Sequence, residues 1–486
     1  MKDKLFNKFL YYETKHKLFD IEFKNIKIWE ILRTYVYIEI EQIYNNLQPL
    51  FPQKKINNKR KTSFKTIKNG LSFFSIKNKD YIFLNNPRRV KQKDGLYYCI
   101  YTDLLIDLLK KDNKCISFED PFWALNKNSD VSHFEPVKTE DIIYLDVIEY
   151  LFNIRKNIFK TINKKQYKQL NILLKSIQDD LEKEFNCNLS NIFKVAEEKI
   201  LYLILMHKTY LRALKRMNPK AILEFYDAFP SKVLTNKVAK ELKIPIIEIQ
   251  HGIVTEENPI FLKYSNLKRK YDCMPDYVLS YGKNLLNKKH MPINKENIYY
   301  IGSLFLEYKK NEYKNNNSNK KNILFISQSN LGKYISEYAS KLADLLEEQS
   351  EYQIIYKMHP YEIGTEYDCL NKSNITIINN REKDLYYYQS ISVAQVGIYS
   401  TGLYEGLAFG LKTFILDNNF GTEEIKQILK SDKNVYYINN ISDIVNILNN
   451  SNDVKRNKDK YWSQVDEKNI KQIIYKISNN NYVKYK

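Results

Sequence analysis

A glutamine, a histidine and a glycine follow one of the most apolar segments of the chain, in the stretch IPIIEIQHG at residues 244–252. Gln250, His251 and Gly252 therefore lie where a buried strand is predicted to pass into a loop. An imidazole suits proton transfer near neutral pH, and a glycine lets the backbone turn sharply or approach a ligand closely. We interpret His251 as a candidate general base; the alternative is a structural histidine that ties down the loop.

Two more polar residues, Lys357 and His359, end the strand-like stretch YQIIYKMHP at residues 352–360. Lysine supplies a compact positive charge and histidine can donate to a phosphate oxygen, while Pro360 stiffens the loop that presents them. The stretch predicts a phosphate-binding group, although an ordinary strand end can have the same pattern.

The most specific stretch is VGIYSTGLYEGLAFGLKTFILDN at residues 396–418. Ser400, Thr401 and Gly402 open a predicted helix directly after a predicted strand. Hydroxyl groups and backbone amides at a helix amino terminus bind anions such as a nucleotide phosphate. Glu405, one turn into this helix, is placed to accept hydrogen bonds from a ribose, as acidic residues do in other nucleotide folds. The alternative is a capped helix that packs closely through its glycines.

Two series of short apolar segments supply the strands that must position these residues. Their continuous apolar pattern indicates burial on both faces, and therefore parallel sheets with helices on each side. The predicted fold class is α/β, with two Rossmann-like doubly wound domains facing across a cleft and with extra N-terminal and inserted helices. Ligands of such sheets bind outside the carboxyl ends of the strands. The predicted strands are 81–86, 115–120, 141–146, 221–227, 244–250, 276–281 and 297–303, then 322–327, 352–360, 374–379, 391–400, 412–418 and 434–439.

Changes in composition divide the chain. Residues 307–321 are polar, rich in Asn and Lys and without apolar periodicity, which is typical of an interdomain linker. The predicted divisions are an N-terminal strand and helix segment with a basic linker (1–70), an N-terminal Rossmann-like domain (71–306) with a helical insertion (147–217), the linker (307–321), a C-terminal Rossmann-like domain (322–460) and a C-terminal helix that can pack back on the first domain (461–486).

Composition narrows the class of protein further. The 486 residues carry a net charge of +20 and 43% of them are apolar, so we expect a folded chain with an affinity for anions. Residues 51–70 contain basic side chains and no acidic ones; they are either a solvated linker or a segment that docks on an anionic membrane face.

No apolar run reaches the roughly 20 residues of a membrane span, and no leader peptide is evident. We expect a cytoplasmic protein, peripheral to the inner face of the cell membrane if residues 51–70 dock there.

The order of the motifs IPIIEIQHG, YKMHP and YSTGLYEGLAFGLKTFILD, in a chain predicted to form two facing α/β domains, resembles the GT-B glycosyltransferases of bacterial surface polysaccharide synthesis. This group includes capsule Kdo transferases, bacterial sialyltransferases and the CDP-glycerol glycerophosphotransferases of teichoic acid synthesis. The resemblance covers residues 80 to 440 and implies a nucleotide-sugar donor held by the C-terminal domain, an acceptor glycan or lipid-linked glycan held by the N-terminal domain, inversion at the sugar, and no cofactor or required metal ion.

The resemblance also implies roles for individual residues. Lys357 and His359, with Pro360 in their loop, would contact the donor phosphates, and Ser400 and Thr401 would complete that phosphate site beside Gly402. Glu405 would hold the ribose. We expect the donor sugar to be linked to CMP or UDP.

The general base has more than one candidate. His251 matches the histidine that serves as a base in the glycerophosphotransferase branch, but that branch continues with Thr-Pro, whereas this chain has Ile253 and Val254. Sialyltransferases of the group use a carboxylate instead, and Glu224 and Asp227, in LEFYDAFP, follow the preceding predicted strand. A helix cap or a salt-bridged loop residue is the alternative interpretation of Asp227.

Arg88 and Arg89 follow the first predicted strand, in NNPRRV. Two guanidinium groups there can hold an anionic acceptor, or can be solvated on a surface loop.

Three other functions remain open at this stage. A polyol-phosphate transferase of the CDP-glycerol type shares the motifs, and a non-hydrolysing nucleotide-sugar 2-epimerase shares the two-domain architecture. A nucleic-acid-binding protein would explain the positive charge, but no recognisable binding module is present and the basic residues are dispersed outside 54–68. We therefore expect no nucleic-acid partner.

Overall fold

The computed structural model describes residues 2–44, 64–85, 89–120, 136–139, 141–157, 163–225, 230–254, 264–286, 291–316, 321–328, 331–347, 351–359, 362, 365–379, 383–416, 422–429, 432–450 and 461–482. Asp227, Arg88 and Pro360 lie outside these residues, as does most of the predicted basic linker.

The first part of the chain forms a parallel sheet with helices on both faces. Its described elements are α1 (Lys2–Lys15), β1 (Glu22–Phe23), β2 (Ile26–Lys27), α2 (Ile28–Tyr44), α3 (Phe64–Leu71), β3 (Tyr81–Asn85), β4 (Val90–Lys91), β5 (Tyr97–Tyr98), α4 (Asp103–Lys110), β6 (Cys115–Glu119), β7 (Ile142–Tyr144), α5 (Asp146–Asn157), α6 (Lys164–Phe185), α7 (Ser190–Met217), β8 (Ala221–Glu224), α8 (Pro230–Glu241), β9 (Ile246–Ile249), β10 (Tyr277–Ser280), β11 (Ile298–Tyr300) and α9 (Leu304–Glu312). The strand order of this sheet is β11-β10-β9-β8-β3-β6-β7.

Alternate residues of these strands enter separate cores on the two faces of the sheet. Ile82 and Ile222 pack into a cluster with α1, α2 and α7, whereas Phe83 and Leu223 pack against α4 and the last helix of the chain. Burial on both faces explains why the strands are apolar throughout rather than alternating.

A second parallel sheet follows. Its described elements are β12 (Asn322–Ile326), α10 (Gly332–Glu347), β13 (Gln353–Lys357), β14 (Ile375–Ile378), α11 (Leu385–Ser390), β15 (Ser392–Gly397), α12 (Thr401–Ala408), β16 (Lys412–Leu416), α13 (Thr422–Leu429), β17 (Val435–Ile438), α14 (Ser442–Asn450) and α15 (Glu467–Tyr482). The strand order is β14-β13-β12-β15-β16-β17, and apolar clusters again cover both faces. The predicted fold class, two doubly wound α/β units, is confirmed.

Two segments join the lobes. The predicted linker 307–321 is not irregular at its start, because α9 extends to Glu312 and its Lys309 is buried. The Lys309 ammonium lies 2.7 Å from Glu312 and 2.7 Å from Asp384 of the second lobe. A buried cation with two carboxylate partners fixes this helix to the second lobe.

The chain returns to the first lobe at its C-terminal end. Ile470, Ile474 and Ile477 of α15 recur at helical spacing and pack in the same cluster as α4. Before this helix, Trp462 donates its indole N–H to the Tyr404 carbonyl at 3.0 Å and packs against the Tyr281 ring at 5.1 Å. Trp462 therefore touches both lobes. Within the described residues, no helix has the length and apolar character of a membrane span.

Candidate functional site

Lys357 and His359 lie at the carboxyl edge of the second sheet. Lys357 is the last residue of β13 and pairs with the ends of both neighbouring strands, and its ammonium lies 5.9 Å from the centre of the Tyr388 ring. His359 follows two residues later and is partly exposed. The two cationic side chains predicted from the sequence are thus placed at the edge where ligands of parallel sheets bind.

A buried carboxylate that the sequence analysis missed holds this loop in place. Glu362 accepts hydrogen bonds from the His359 backbone N–H at 2.7 Å, from the Ser327 hydroxyl at 2.9 Å and from the Tyr367 hydroxyl at 2.8 Å. It ties the loop after β13 to the residue that follows β12. The signal was present in KMHPYE, where an acidic residue follows the histidine by three positions.

The start of α10 contacts the same carboxylate. A Cβ atom at Gly332 would lie 1.7 Å from Glu362 Oε1 and 2.2 Å from the Tyr367 hydroxyl. Only a glycine therefore allows the amino end of α10 to approach Glu362 so closely. Both ends of the loop after β12, at Ser327 and at the start of α10, are therefore held against the loop after β13.

Ser400 and Thr401 also lie at this edge, at the amino end of α12. The Ser400 oxygen accepts the Gly402 backbone N–H at 3.2 Å, as an N-cap residue does, while its hydroxyl hydrogen remains available to a ligand. Thr401 is exposed. Tyr399, one residue before the cap, donates its backbone N–H to the side-chain oxygen of Gln328 at 3.2 Å, which couples this loop to the loop after β12.

The glycines of this motif serve packing. A Cβ atom at Gly402 would lie 2.7 Å from Leu385, and one at Gly406 would lie 2.0 Å from the side-chain oxygen of Gln395. The alternative interpretation, close packing through glycines, therefore describes Gly402 and Gly406, while the anion-binding interpretation concerns Ser400 and Thr401.

Glu405 lies where the two lobes meet. The Tyr386 hydroxyl donates to Glu405 Oε1 at 3.1 Å, and burial raises the pKa of Glu405 to about 7. The pKa of Tyr281, at the end of β10 in the first lobe, is raised well above its usual value by burial, and then by the neighbouring Tyr101 and Glu405. Tyr281 packs on Trp462, whose indole donates to the carbonyl of Tyr404, the residue before Glu405.

His251 lies on the first-lobe side of the same junction. Its ring is 6.3 Å from the ring of Tyr101, edge to face, and 6.3 Å from that of Phe225. Tyr101 in turn neighbours Tyr281. His251 is partly exposed.

Gln250 and Gly252, predicted as acceptor or loop residues, lie in the loop after β9. The Gln250 amide nitrogen donates to the carbonyls of Gly252 and Leu285, both at 2.7 Å, and its oxygen accepts from the Ser280 hydroxyl at 2.8 Å. Gln250 is therefore a structural brace between two loops. The Gly252 φ angle does not lie in the left-handed region, and a Cβ atom there would meet nothing within 4 Å, so the position has open space around it.

Two carboxylates lie side by side on β8 and β9. Glu224 and Glu248 are register partners, and Glu224 accepts a hydrogen bond from the Asn236 side chain at 2.7 Å. Burial, and then the charge of Glu224, raises the pKa of Glu248 to about 8. The sequence analysis named Glu224 but missed Glu248, although a carboxylate inside the apolar stretch IPIIEIQ is a signal, because burying a charge is costly.

Arg89 does not face a ligand-binding surface. Its guanidinium is buried and forms ion pairs with Asp103, at 3.1 Å, and with Glu119. Asp103 also accepts from the Thr139 hydroxyl at 2.7 Å and from the Cys99 backbone N–H at 2.8 Å. The prediction that Arg89 holds an acceptor is corrected by this arrangement: the arginine neutralises two buried carboxylates in the first lobe.

No group of three or more His, Cys, Asp or Glu side chains that could hold a metal ion occurs among the residues with described positions. The positive charge at the predicted donor site comes from Lys357 and from the amino end of α12, and His359 can donate a hydrogen bond there.

Comparison with known proteins gives distant structural likenesses only. No family model matches the chain, and no curated protein matches it. Three solved structures overlap most of it: UDP-GlcNAc 2-epimerase from Neisseria meningitidis bound to UDP-GlcNAc (TM-score 0.47, 12% identity, 82% of this chain and 100% of that chain), the wall teichoic acid polymerase TagF (0.44, 11%, 95% and 100%), and MurG of Acinetobacter baumannii (0.39, 10%, 82% and 95%). The proposals below therefore rest on the side chains of this chain.

Proposed function

We propose that this protein is a glycosyltransferase that moves a sugar from a nucleotide-activated donor to a glycan acceptor of the bacterial surface, such as a capsule or lipooligosaccharide chain. One observation carries the proposal. Lys357, Ser400 and Thr401 lie at the carboxyl edge of the second sheet, and His251 follows the carboxyl end of β9 in the first. The two lobes meet where Trp462 packs on Tyr281 and donates to the Tyr404 carbonyl.

The donor lies against the second lobe in this proposal. Lys357 and His359 contact its phosphates, and the hydroxyls of Ser400 and Thr401 donate to the same oxygens beside the positive end of α12. The Glu405 carboxylate accepts hydrogen bonds from the ribose hydroxyls, which favours its ionised form. These groups supply the positive charge that the leaving phosphate needs, so the reaction requires no metal ion.

His251 is the base in the transfer. Its imidazole takes the proton of an acceptor hydroxyl, and that oxygen attacks the anomeric carbon of the donor sugar. The bond between this carbon and the phosphate oxygen breaks, and the electron pair leaves with the nucleotide, which the cations of the second lobe stabilise. Attack from the side opposite the leaving group inverts the anomeric centre. Glu224 is the second candidate, but it is only 6% exposed, whereas His251 is partly exposed.

The acceptor lies against the first lobe. The net charge of +20 fits a partner that is anionic, and a lipid-linked glycan at the inner face of the cell membrane would bring the protein to an anionic surface. The proposal therefore includes a cytoplasmic protein that binds the membrane peripherally and has no nucleic-acid partner.

Nucleotide binding is the direct test. Melting temperatures measured with CMP, CDP, UDP and GDP, each with and without EDTA, should rise with one cytidine or uridine nucleotide and be insensitive to the chelator. Release of that nucleotide from its sugar should then require an acceptor glycan. Stabilisation by none of the four nucleotides would contradict the proposal, and turnover of UDP-GlcNAc without any acceptor would identify the 2-epimerase instead. Transfer of glycerol phosphate from CDP-glycerol would identify the polyol-phosphate transferase.

A further inference from the structure

A second strongly cationic cavity lies in the first lobe, outside the site described above. It has a volume of about 610 Å³ and is enclosed by the turn between β1 and β2, the last turn of α5, the middle of α7 and the end of α8. This volume is within the range of about 300–1,000 Å³ for small-molecule sites. Its charged lining residues are Lys24, Arg155, Lys208, Arg212, Lys237 and the single carboxylate Glu241, with His207 between them.

The cavity is remote from the junction of the lobes. Lys232, in the first turn of α8, lies 3.5 Å from the Phe225 carbonyl at the carboxyl end of β8. Lys240, near the other end of α8, pairs with Asp276 at 2.6 Å, directly before the start of β10. Lys237 and Glu241, near this end of α8, line the cavity. The cavity therefore lies near the amino edge of the first sheet, opposite the edge that carries His251.

Two arginines, Arg155 and Arg212, line the same cavity. Arg155 donates to the Thr209 hydroxyl at 2.7 Å and to the Leu205 carbonyl at 2.9 Å, which fixes its guanidinium against α7. Burial, and then the charge of Arg212, lowers the pKa of Arg155. Like charges held together in a partly enclosed space repel each other, and an anion bound between them would remove that repulsion.

The single carboxylate of the cavity does not neutralise this charge. Glu241 lies 2.9 Å from the His207 ring and 3.7 Å from Lys237, so its oxygens are already shared. Lys208 and Arg212 form no salt bridge with any carboxylate of the described part of the chain.

The turn between β1 and β2 adds a further cation. Lys24 and Asn25 form a two-residue hairpin turn with positive φ angles of 50° and 61°, a conformation that glycine or asparagine usually occupies. A lysine at the first position is unfavourable for the backbone, yet it places a cationic residue in the lining of the cavity.

We propose that this cavity binds a phosphate-bearing ligand, with the guanidinium groups of Arg155 and Arg212 as its main partners. Planar guanidinium groups donate paired hydrogen bonds to phosphate oxygens, and two of them, with Lys208 beside them, suit a diphosphate or two neighbouring phosphates. A free phosphate compound and the headgroup of an anionic phospholipid share this chemistry. The inference does not depend on the proposed transferase activity.

Calorimetric titration with inorganic pyrophosphate tests the site. Every protein in this titration also carries Lys357→Ala and His359→Ala. The phosphate site of the second lobe then does not contribute to the measured pyrophosphate binding. Arg212→Gln should weaken pyrophosphate binding at least tenfold, Arg212→Lys should retain most of it, and Lys341→Gln, in the second lobe, should leave it unchanged. Flotation of the same variants with vesicles of phosphatidylglycerol, against vesicles of phosphatidylcholine, distinguishes the two sources of phosphate.

Each outcome decides the proposal. Pyrophosphate binding that depends on Arg212 supports a site for a free phosphate compound, and flotation with phosphatidylglycerol alone that depends on Arg212 supports a lipid headgroup site. The proposal is overturned if the protein binds neither probe, or if Arg212→Gln behaves like Lys341→Gln in both measurements. Melting temperatures of the variants show that each one is folded.

Discussion

Glu224 and Glu248 lie opposite each other on two neighbouring parallel strands of the first lobe, and the Glu248 pKa near 8 results from burial and from the charge of its partner. Burial and the neighbouring carboxylate thus favour the protonated form of Glu248. Because the two residues are far apart in the sequence, only the pairing of β8 with β9 brings their carboxyl groups together.

This pair predicts a dependence of stability on pH. The folded-state pKa of Glu248 exceeds its unfolded value near 4.3, so its contribution is fully present at low pH and is lost as pH rises through about 8. Glu248→Gln removes the titration, and should reduce the fall in unfolding free energy between pH 5 and pH 8 by about 3–4 kcal/mol. Urea denaturation at pH 5 and at pH 8 measures this unfolding free energy. Glu337→Gln, at an exposed position of α10, is the control, and an equal fall in both variants would contradict the assignment.

Substitutions on the two lobes should separate donor binding from turnover. His359→Ala and Lys357→Ala remove positive charge from the phosphate site, so the rise in melting temperature produced by the nucleotide should disappear. His251→Ala should retain that rise and lower the turnover rate by about 10²–10⁴-fold, the usual range for a lost general base. Loss of nucleotide binding in His251→Ala would show that its assigned role is wrong; Glu224→Ala, measured alongside, tests the second candidate.

Glu362 should act on nucleotide binding without contacting the nucleotide. Glu362→Gln keeps the size of the side chain but removes the charge that accepts three hydrogen bonds. Hydrogen bonds to charged groups contribute about 1.5–3 kcal/mol each, so we expect a loss of about 2 kcal/mol in unfolding free energy and a weaker affinity for the nucleotide. Stability and nucleotide affinity should fall together in Glu362→Gln, because both depend on the same loop. Glu366→Gln, at an exposed position nearby, should change neither quantity.

Substitution by alanine should destabilise the protein at Gly406 but not at Gly252. A methyl group at Gly406 would meet the side-chain oxygen of Gln395 at 2.0 Å, and that amide is held by the Leu403 carbonyl and the Thr413 hydroxyl. Gly406→Ala should therefore destabilise the protein by about 1–3 kcal/mol. Gly252→Ala enters open space and should leave the melting temperature within about 1 °C. Equal melting temperatures for the two variants would contradict the packing described for α12.

The apolar runs of the sequence predicted the strands well. Each predicted strand, from 81–86 to 434–439, contains an observed strand, because a strand buried on both faces needs apolar residues throughout. The helix at the start of the predicted linker was not foreseen: α9 continues to Glu312, and its Lys309 pairs with Asp384 in the second lobe. That partner is distant in sequence, and no local pattern indicates it.

Local sequence determined which residues end the strands, and with them the placement of Lys357, His359, Ser400 and His251 at the carboxyl edges of two parallel sheets. Strand burial and helix capping depend on neighbouring residues, so they can be read along the chain. The tertiary structure alone decided which side chains meet: Arg89 turned inward to two carboxylates, Glu362 joined the loops after β12 and β13, and Glu248 came to lie beside Glu224. These outcomes depend on strand pairing and on charges from distant segments, because a buried charge is stable only where folding supplies its partner.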